Sequence, residues 1–442
     1  MNIKRFIYAG VLVLFLSLPI FASVSGTVVT GYSYYTRTSG TEMINRYFYS
    51  NSPGIINSQY QRFSGDNGIT WGTPTNLIGG ESVAILDSSK DLLVNMSYAD
   101  FGYGTALTYT ISIDGGHSIY HSSPVIHKGD YSAENPLPGV WVGKNYPMIT
   151  SFAQAGIVTS SGKILQPVYI TPLDAPDGSP INPGGGASWH DSAVLIGTWI
   201  DDGQGQWILE WEMSNYIVGH PSLSTRGFFE PAVTEMNNGQ LLMILRGSND
   251  TNAGIAGRKW YSVSTDGGYT WSAAQEWKYD SGESFYSSDS GSQLIKFNGK
   301  IYWIGNISQT NPQGTFPGYP LAIVETNPSN LRPIKNSMLL IDDKSLSEPN
   351  SLDIMSFSAY LDRQHSEIVL LYSKAYKDWP NLWLGNLIEI RMGNSEPADC
   401  LEVWQKGFGL LGDINKDCRV DFKDFAEMGE NWMNCYAADC MN

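Results

Sequence analysis

The sequence predicts an all-β protein built from repeated sheet units, with a small α-helical module at its C-terminal end. Three observations carry that expectation. The 442-residue chain is rich in aromatic residues (12 %) and has 46 glycines, yet only 16 % of it is charged. That balance suits half-buried pleated surfaces joined by tight turns. A polar turn followed by an apolar, β-rich strand recurs along the body, and a second turn motif keeps step with it. Size and a 42 % apolar content exclude a disordered or fibrous chain. The net charge of −16 excludes the basic footprint of a nucleic-acid binder. It leaves an anionic ligand open, because a local arginine cluster overrides the global sign.

The N-terminal end reads as an export signal over residues 1–25. Lys4 and Arg5 precede an apolar run from Phe6 to Phe21, and the small residues Ala22, Ser23 and Ser25 follow. The run is shorter than the roughly 20 residues a bilayer span needs. No later segment reads as membrane-spanning, so a secreted, cell-surface or periplasmic protein is expected.

The body, residues 26–396, is organised by the repeat. Ser89-Lys90-Asp91 precedes Leu92–Tyr98, and Ser161-Gly162-Lys163 precedes Ile164–Ile170. Asn238-Gly239-Gln240 precedes Leu241–Arg246, and Asn298-Gly299-Lys300 precedes Ile301–Asn306. His365-Ser366-Glu367 precedes Ile368–Ser373, and Ile44–Ser50 is a weaker sixth copy. The strand starts lie 48 to 77 residues apart, room for a four-stranded sheet and its loops. The second motif, S-x-D-x-G-x-T-W, is complete at Ser64–Trp71 and Ser264–Trp271. Partial copies lie at Ser112–Ser118 and Ile200–Trp207. It is a turn device: the Asp caps turn amides, the Gly takes a positive φ, and the Trp packs beneath. Its acids are therefore expected to be fold residues.

This motif resembles the Asp-box of the sialidase (BNR-repeat) superfamily. The resemblance implies a six-bladed β-propeller over residues 26–396. Within it, Gly227–Met236 running through to Arg246 is similar to the sialidase segment in which a Glu precedes a strand ending in Arg. In that family the Glu activates a Tyr nucleophile and the Arg grips a substrate carboxylate. The resemblance thus points to Glu230 and Arg246, with Tyr360 in Ser356–Tyr360 as the candidate nucleophile. An Arg fork recognises a planar carboxylate in two places at once. A neutral Tyr attacks an anomeric carbon without the repulsion an anion would meet, a departure from the scheme of two-carboxylate glycosidases.

Other stretches read as candidates from their residues alone. Gly184-Gly185-Gly186-Ala187-Ser188-Trp189-His190-Asp191 delivers an indole, an imidazole and a carboxylate from one glycine loop. His190 and Asp191 are expected to serve proton transfer and Trp189 to stack on a sugar. Arg258 and Lys259 are candidate anion ligands, Tyr319 in Thr315–Pro320 a candidate sugar contact, and Asp289 a further acid.

The last segment, 397–442, holds all four cysteines: Cys400, Cys418, Cys435 and Cys440. In an exported chain such a set predicts two disulfides, with three pairings open. Asp413, Asn415, Asp417, Asp421 and Asp424 supply oxygens at positions 1, 3, 5, 9 and 12 of a loop, and Arg419 a carbonyl at position 7. That is the spacing of an EF-hand calcium loop. An amphipathic helix is expected over Phe422–Met433. The whole resembles one repeat of a dockerin, which implies Ca²⁺ as ligand and a cohesin-like scaffold or cell-surface partner.

Together these readings predict a sialidase-like glycoside hydrolase that removes terminal, acidic sugars from glycans and needs no catalytic cofactor. The alternatives are a polysaccharide lyase on uronic-acid glycans and a non-catalytic carbohydrate-binding propeller.

Overall fold

The computed structural model describes residues 13–16, 27–50, 58–79, 83–100, 102, 104–150, 156–354, 356–378, 381–384 and 387–393. They form a six-bladed β-propeller. Every blade is an antiparallel meander. The first holds Thr27–Tyr35, Met43–Ser50 and Ser58–Ser64. The second to fifth each have four strands. The sixth joins Phe357–Asp362, Glu367–Tyr372 and Ile388–Gly393. All six sequence repeats fall in the second strand of a blade, which is why they run in phase. A 3₁₀ turn at Lys335–Ser337 is the helical element among the described residues. The calcium loop, the expected helix at 422–433 and the four cysteines lie outside the described residues.

One expectation meets a competing assignment. Val13–Leu16, inside the stretch read as an export signal, pairs with Ile388–Gly393 as the outer strand of the sixth blade.

The core lies between blades, not within them. Leu242 and Ile244 of the fourth blade pack with Trp303 and Val324 of the fifth, together with Trp277 on the connection between them. Trp277 and Trp303 meet edge to face at 5.3 Å. A second seam joins Val94 and Ile111 to Val168 and Leu195 across the second and third blades. Each fully buried large side chain contributes about 1.5–3 kcal/mol relative to exposure.

The Asp-box turns do what their chemistry predicts. Asp266 Oδ1 accepts the Thr270 amide at 3.0 Å and Oδ2 its hydroxyl at 2.6 Å. Ser264 Oγ accepts the Gly268 amide at 3.0 Å, where the backbone sits at φ 96°. Asp66 and Asp114 repeat the pattern. Asp266→Ala is expected to cost about 1 kcal/mol of stability, read from urea unfolding, with the opposite end of the propeller unaltered.

Candidate functional site

Because each blade is a meander, its ends differ. Hairpins between first and second strands share one end with the Asp-box turns. Loops between second and third strands, and crossings between blades, share the other, the mouth. The loops 171–190, 247–258 and 307–320 are there.

The fourth blade builds the centre of the mouth. Phe229 pairs with Arg246, but the register then slips, and pairing resumes at Ala232 and Ile244. Glu230 and Pro231 form the bulge. Pro231 has no amide to lose from the ladder, and Glu230 is held at φ 44°. A left-handed Glu costs on the order of 1–2 kcal/mol. The kink places the Glu230 carboxylate against the last side chain of the neighbouring strand.

That side chain, Arg246, is clamped on two sides. Its Nε donates to Asp289 Oδ1 at 2.5 Å, and a further nitrogen donates to the same oxygen. Nη1 donates to Glu230 Oε2. Arg226 Nη1 lies 3.5 Å from Asp289 Oδ2. The two guanidinium carbons stand 4.5 and 4.6 Å from the centroid of the Phe229 ring, a cation–π arrangement. Burial alone would raise the Asp289 carboxyl. The charge of Arg246, a Ser248 hydrogen bond and the charge of Arg226 outweigh it and hold the group below the usual carboxylate range. Asp289 is therefore a fixed anion. Glu230 differs: its side chain is 24 % exposed, and its Oε1 has no hydrogen-bond partner among the described residues.

The third blade supplies the other wall. His190 Nε2 meets Ser188 Oγ at 2.8 Å and Nδ1 meets Thr171 Oγ1 at 3.0 Å. Ser188 Oγ also accepts from Arg226 Nη2 at 2.8 Å. Burial, then the charges of Arg226 and Arg246, pull the imidazole down to about 4. His190 is thus neutral near pH 7 and bridges two hydroxyls. It orients Ser188 and Arg226, and as a neutral imidazole it can accept a proton but has none to give as imidazolium, which narrows the expected proton-transfer role to that of a base.

Other expected residues are also placed differently. Asp191 follows His190 on a strand, so its side chain points to the opposite face. It accepts the Gly219 amide at 2.9 Å and turns away from Glu230. Trp189 is 2 % exposed and cannot stack on a sugar. The glycines that suggested a ligand loop press backbone onto this indole: a Cβ on Gly184 would meet the ring at 2.6 Å. Lys259 pairs across the ladder with Arg246 and is fully buried. Its ammonium donates to the carbonyls of Ser288 and Ser290, the residues flanking Asp289. It positions that loop and does not face a substrate. Arg258, on the opposite face, is engaged by Glu276 at 3.0 Å and the Phe285 carbonyl at 2.7 Å. Tyr319 is half-buried against the seam of the fifth and sixth blades. Tyr360 lies toward the Asp-box end, edge-on to Tyr35 at 6.4 Å, and is not brought to the cluster.

Two members escaped the sequence reading. Arg226 precedes the segment that attracted attention. Tyr169 sits next to the end of Ile164–Ile170, at the level Arg246 occupies one blade on. Aligned on the repeated second strands, Tyr169 and Arg246 fall at equivalent ends facing the mouth, a signal that finds Tyr169 but not Arg226. The Tyr169 ring stands 5.2 Å from His190 and 6.2 Å from Phe229. Burial, then the nearby Glu230 charge, raises its phenol well above the ordinary tyrosine range, so it remains protonated.

No protein-family model matches the chain, and no curated protein matches it in sequence. In structure it is similar to a protein of unknown function from Dyadobacter fermentans. That match has 14 % identity and a TM-score of 0.52, and covers 84 % of this chain and 96 % of the other. It is also similar to a point mutant of the NanB sialidase from Streptococcus pneumoniae. There the identity is 12 % and the TM-score 0.51, with 87 % of this chain and 71 % of that one covered. The likeness is one of fold, the sialidase-type six-bladed propeller.

Lys259 gives this site a pH signature. Burial, then the charge of Arg246, lowers its ammonium from 10.5 to about 7. Between those values the unfolded chain binds the proton that the folded one has lost, so stability rises with pH there. Below about 7 both states hold the proton and the burial cost is present in full. Lys259→Met should remove this slope, at most about 1.4 kcal/mol per pH unit. Urea unfolding of both proteins from pH 6 to 10 measures it.

Proposed function

We propose that this protein is a glycoside hydrolase that cleaves terminal sugars from glycans, with Glu230 at its reaction centre. The observation that carries the reading is the bulge. A strained backbone delivers a carboxylate with one oxygen fixed by a buried Arg and the other free at the mouth. Left-handed strain at a partly exposed acid, set in a bulge beside a buried Arg, is the kind that clusters at working sites.

Tyr169 is the phenol we assign to Glu230. As Tyr169 Oη bonds to the anomeric carbon, its proton passes to Glu230 and the glycosidic C–O bond breaks. The departing oxygen takes a proton from water. A second water then attacks the anomeric carbon, gives up a proton to solvent, and the tyrosyl oxygen leaves with the proton from Glu230. Arg246 orients Glu230 and, with Asp289 holding it, is unavailable as a free carboxylate fork. A preference for acidic sugars therefore rests on Arg226, whose side chain is 21 % exposed.

The first test is turnover of aryl glycosides, including a sialyl-aryl substrate, beside sulfated and uronic-acid glycans. Glu230→Gln and Tyr169→Phe are each expected to lower kcat/KM by at least about 10²-fold, with thermal unfolding unchanged in Tyr169→Phe and lowered in Glu230→Gln, which removes one charge from the buried Arg246. Loss with Glu230→Gln alone would replace the Tyr route by a two-carboxylate one. Appearance of an ultraviolet-absorbing unsaturated uronate would favour the lyase instead. Ligand binding without turnover in the unaltered protein would leave a binding propeller.

We also propose that the loop from Asp413 to Asp424 binds Ca²⁺ and that the tail docks to a cohesin-like partner on a scaffold or cell surface. Export through residues 1–25 belongs to the same reading. The oxygen-rich spacing of Asp413, Asn415, Asp417, Asp421 and Asp424 supports the ion. Terbium luminescence should rise on titration into the full chain, be displaced by Ca²⁺, and be lost in the double variant Asp413→Ala, Asp417→Ala.

A further inference from the structure

A second concavity lies on the other side of the strand that carries His190. It encloses about 580 Å³, within the range of small-ligand pockets. Tyr131, Trp141 and Tyr216 supply rings, Leu173 an apolar wall, and Asp174 and Asp191 carboxylates. No Lys, Arg or His is among its lining residues.

The pocket is built rather than incidental. Tyr216 Oη donates to the Pro138 carbonyl at 2.6 Å. Gly139, at φ 71°, makes room, since a Cβ there would stand 3.1 Å from that oxygen. Buried Asn145 accepts the Trp141 amide at 2.8 Å and donates to the carbonyls of Gly139 and Thr171 at 2.9 and 2.8 Å. The turn bearing Trp141 is thereby tied to the strand end that leads to the reaction centre. Leu137 and Val140 anchor it below in the seam of the second and third blades.

The pocket and the centre share one wall. Thr171 bonds His190 on the centre's side, and Pro172 lines the pocket. His190 faces the arginines, and Asp191 faces the pocket. An extended ligand at the mouth can therefore reach both.

We infer that this pocket is a subsite for a neutral sugar unit of the glycan. An uncharged pyranose lays its C–H face on Trp141 and Tyr131 while its hydroxyls donate to Asp191 and Asp174. The walls choose the class. Acceptors without a cation favour hydroxyl donors and disfavour carboxylated or sulfated rings, and aromatic faces suit the C–H side of a sugar. Asp191 is 6 % exposed, and the Gly219 amide and the Trp189 indole hold its carboxyl in place, so it is pre-organised to accept from a ligand hydroxyl at its remaining lone pairs. The choice of a sugar as occupant rests on the hydrolase reading above.

Saturation-transfer NMR on the full chain tests the inference. Lactose, cellobiose and xylobiose serve as neutral probes, galacturonate and N-acetylneuraminate as acidic ones, and tetramethylammonium as a cation. At least one neutral probe should saturate, and Trp141→Ala should weaken it by at least about tenfold. Val218→Trp fills the rim from a side chain that is 65 % exposed, so it spares the core and should abolish binding with unfolding unchanged. No neutral probe binding, tighter binding of the acidic or cationic probes, or indifference to Val218→Trp would overturn the inference. The two readings fail separately. Neutral-sugar binding blocked by Val218→Trp, without hydrolysis by the unaltered protein, keeps the subsite and sinks the hydrolase. Hydrolysis lost in Glu230→Gln, with no neutral probe bound, does the reverse.

Discussion

The mouth of this propeller depends on one interaction, the burial of Arg246 between Asp289 and Glu230. A guanidinium removed from water needs opposite charge and filled donors to be tolerated. Each partner here is fetched by a different backbone device. Asp289 comes from the crossing into the fifth blade, held by carbonyls bound to the Lys259 ammonium. Glu230 comes from a bulge in the adjacent strand. The arrangement couples the fourth and fifth blades where their connections would otherwise be least constrained. It also makes the two acids unequal. Asp289 is enclosed and held as an anion by two arginines, whereas Glu230 keeps one oxygen free. Of the two acids, Glu230 is therefore the one open to a ligand, and Asp289 holds its partner.

How much of this was legible in the sequence follows from the range of each signal. The blades were legible because their signals are local. An Asp-box closes within eight residues, and its hydrogen bonds join atoms two to four residues apart. The hairpin before each second strand is equally local. Glu230 and Arg246 were legible for a related reason, since they lie on neighbouring strands joined by one short turn. Asp289, far along the chain, carries only a weak local signal, and Arg226 carries none. Their place is set by blade crossings, which leave no periodic trace.

The misreadings share a cause. Adjacent residues with suggestive chemistry look like one unit in sequence, yet on a strand adjacent residues face apart. His190 and Asp191 look like a proton-transfer pair in sequence and are divided by the sheet. Arg258 and Lys259 look like one cationic patch. One is engaged by Glu276 and the other is buried against Ser288 and Ser290. Trp189 misled for a different reason. Glycines beside an aromatic suit a flexible ligand loop, but they suit equally well a backbone that must lie flat on a buried indole. The distances at Gly184 and Gly219 fit the second use. Tyr360 followed from a resemblance in order along the chain, and its position near a hairpin on the Asp-box end removes it from the mouth.

The same alternation that broke up the expected pairs gives the third blade two working faces. One strand end presents His190 to a charged, self-neutralising cluster and Asp191 to an aromatic hollow without cations. A hydrolase acting on a chain of sugars needs two such environments. One must support charge separation at the bond that breaks, and the other must hold an uncharged neighbour by shape and hydroxyl contacts. Placing both on a single rigid strand fixes their separation. Under the proposed function, a sugar held in the hollow would help to align the neighbouring bond at Glu230, since both environments are built on one strand.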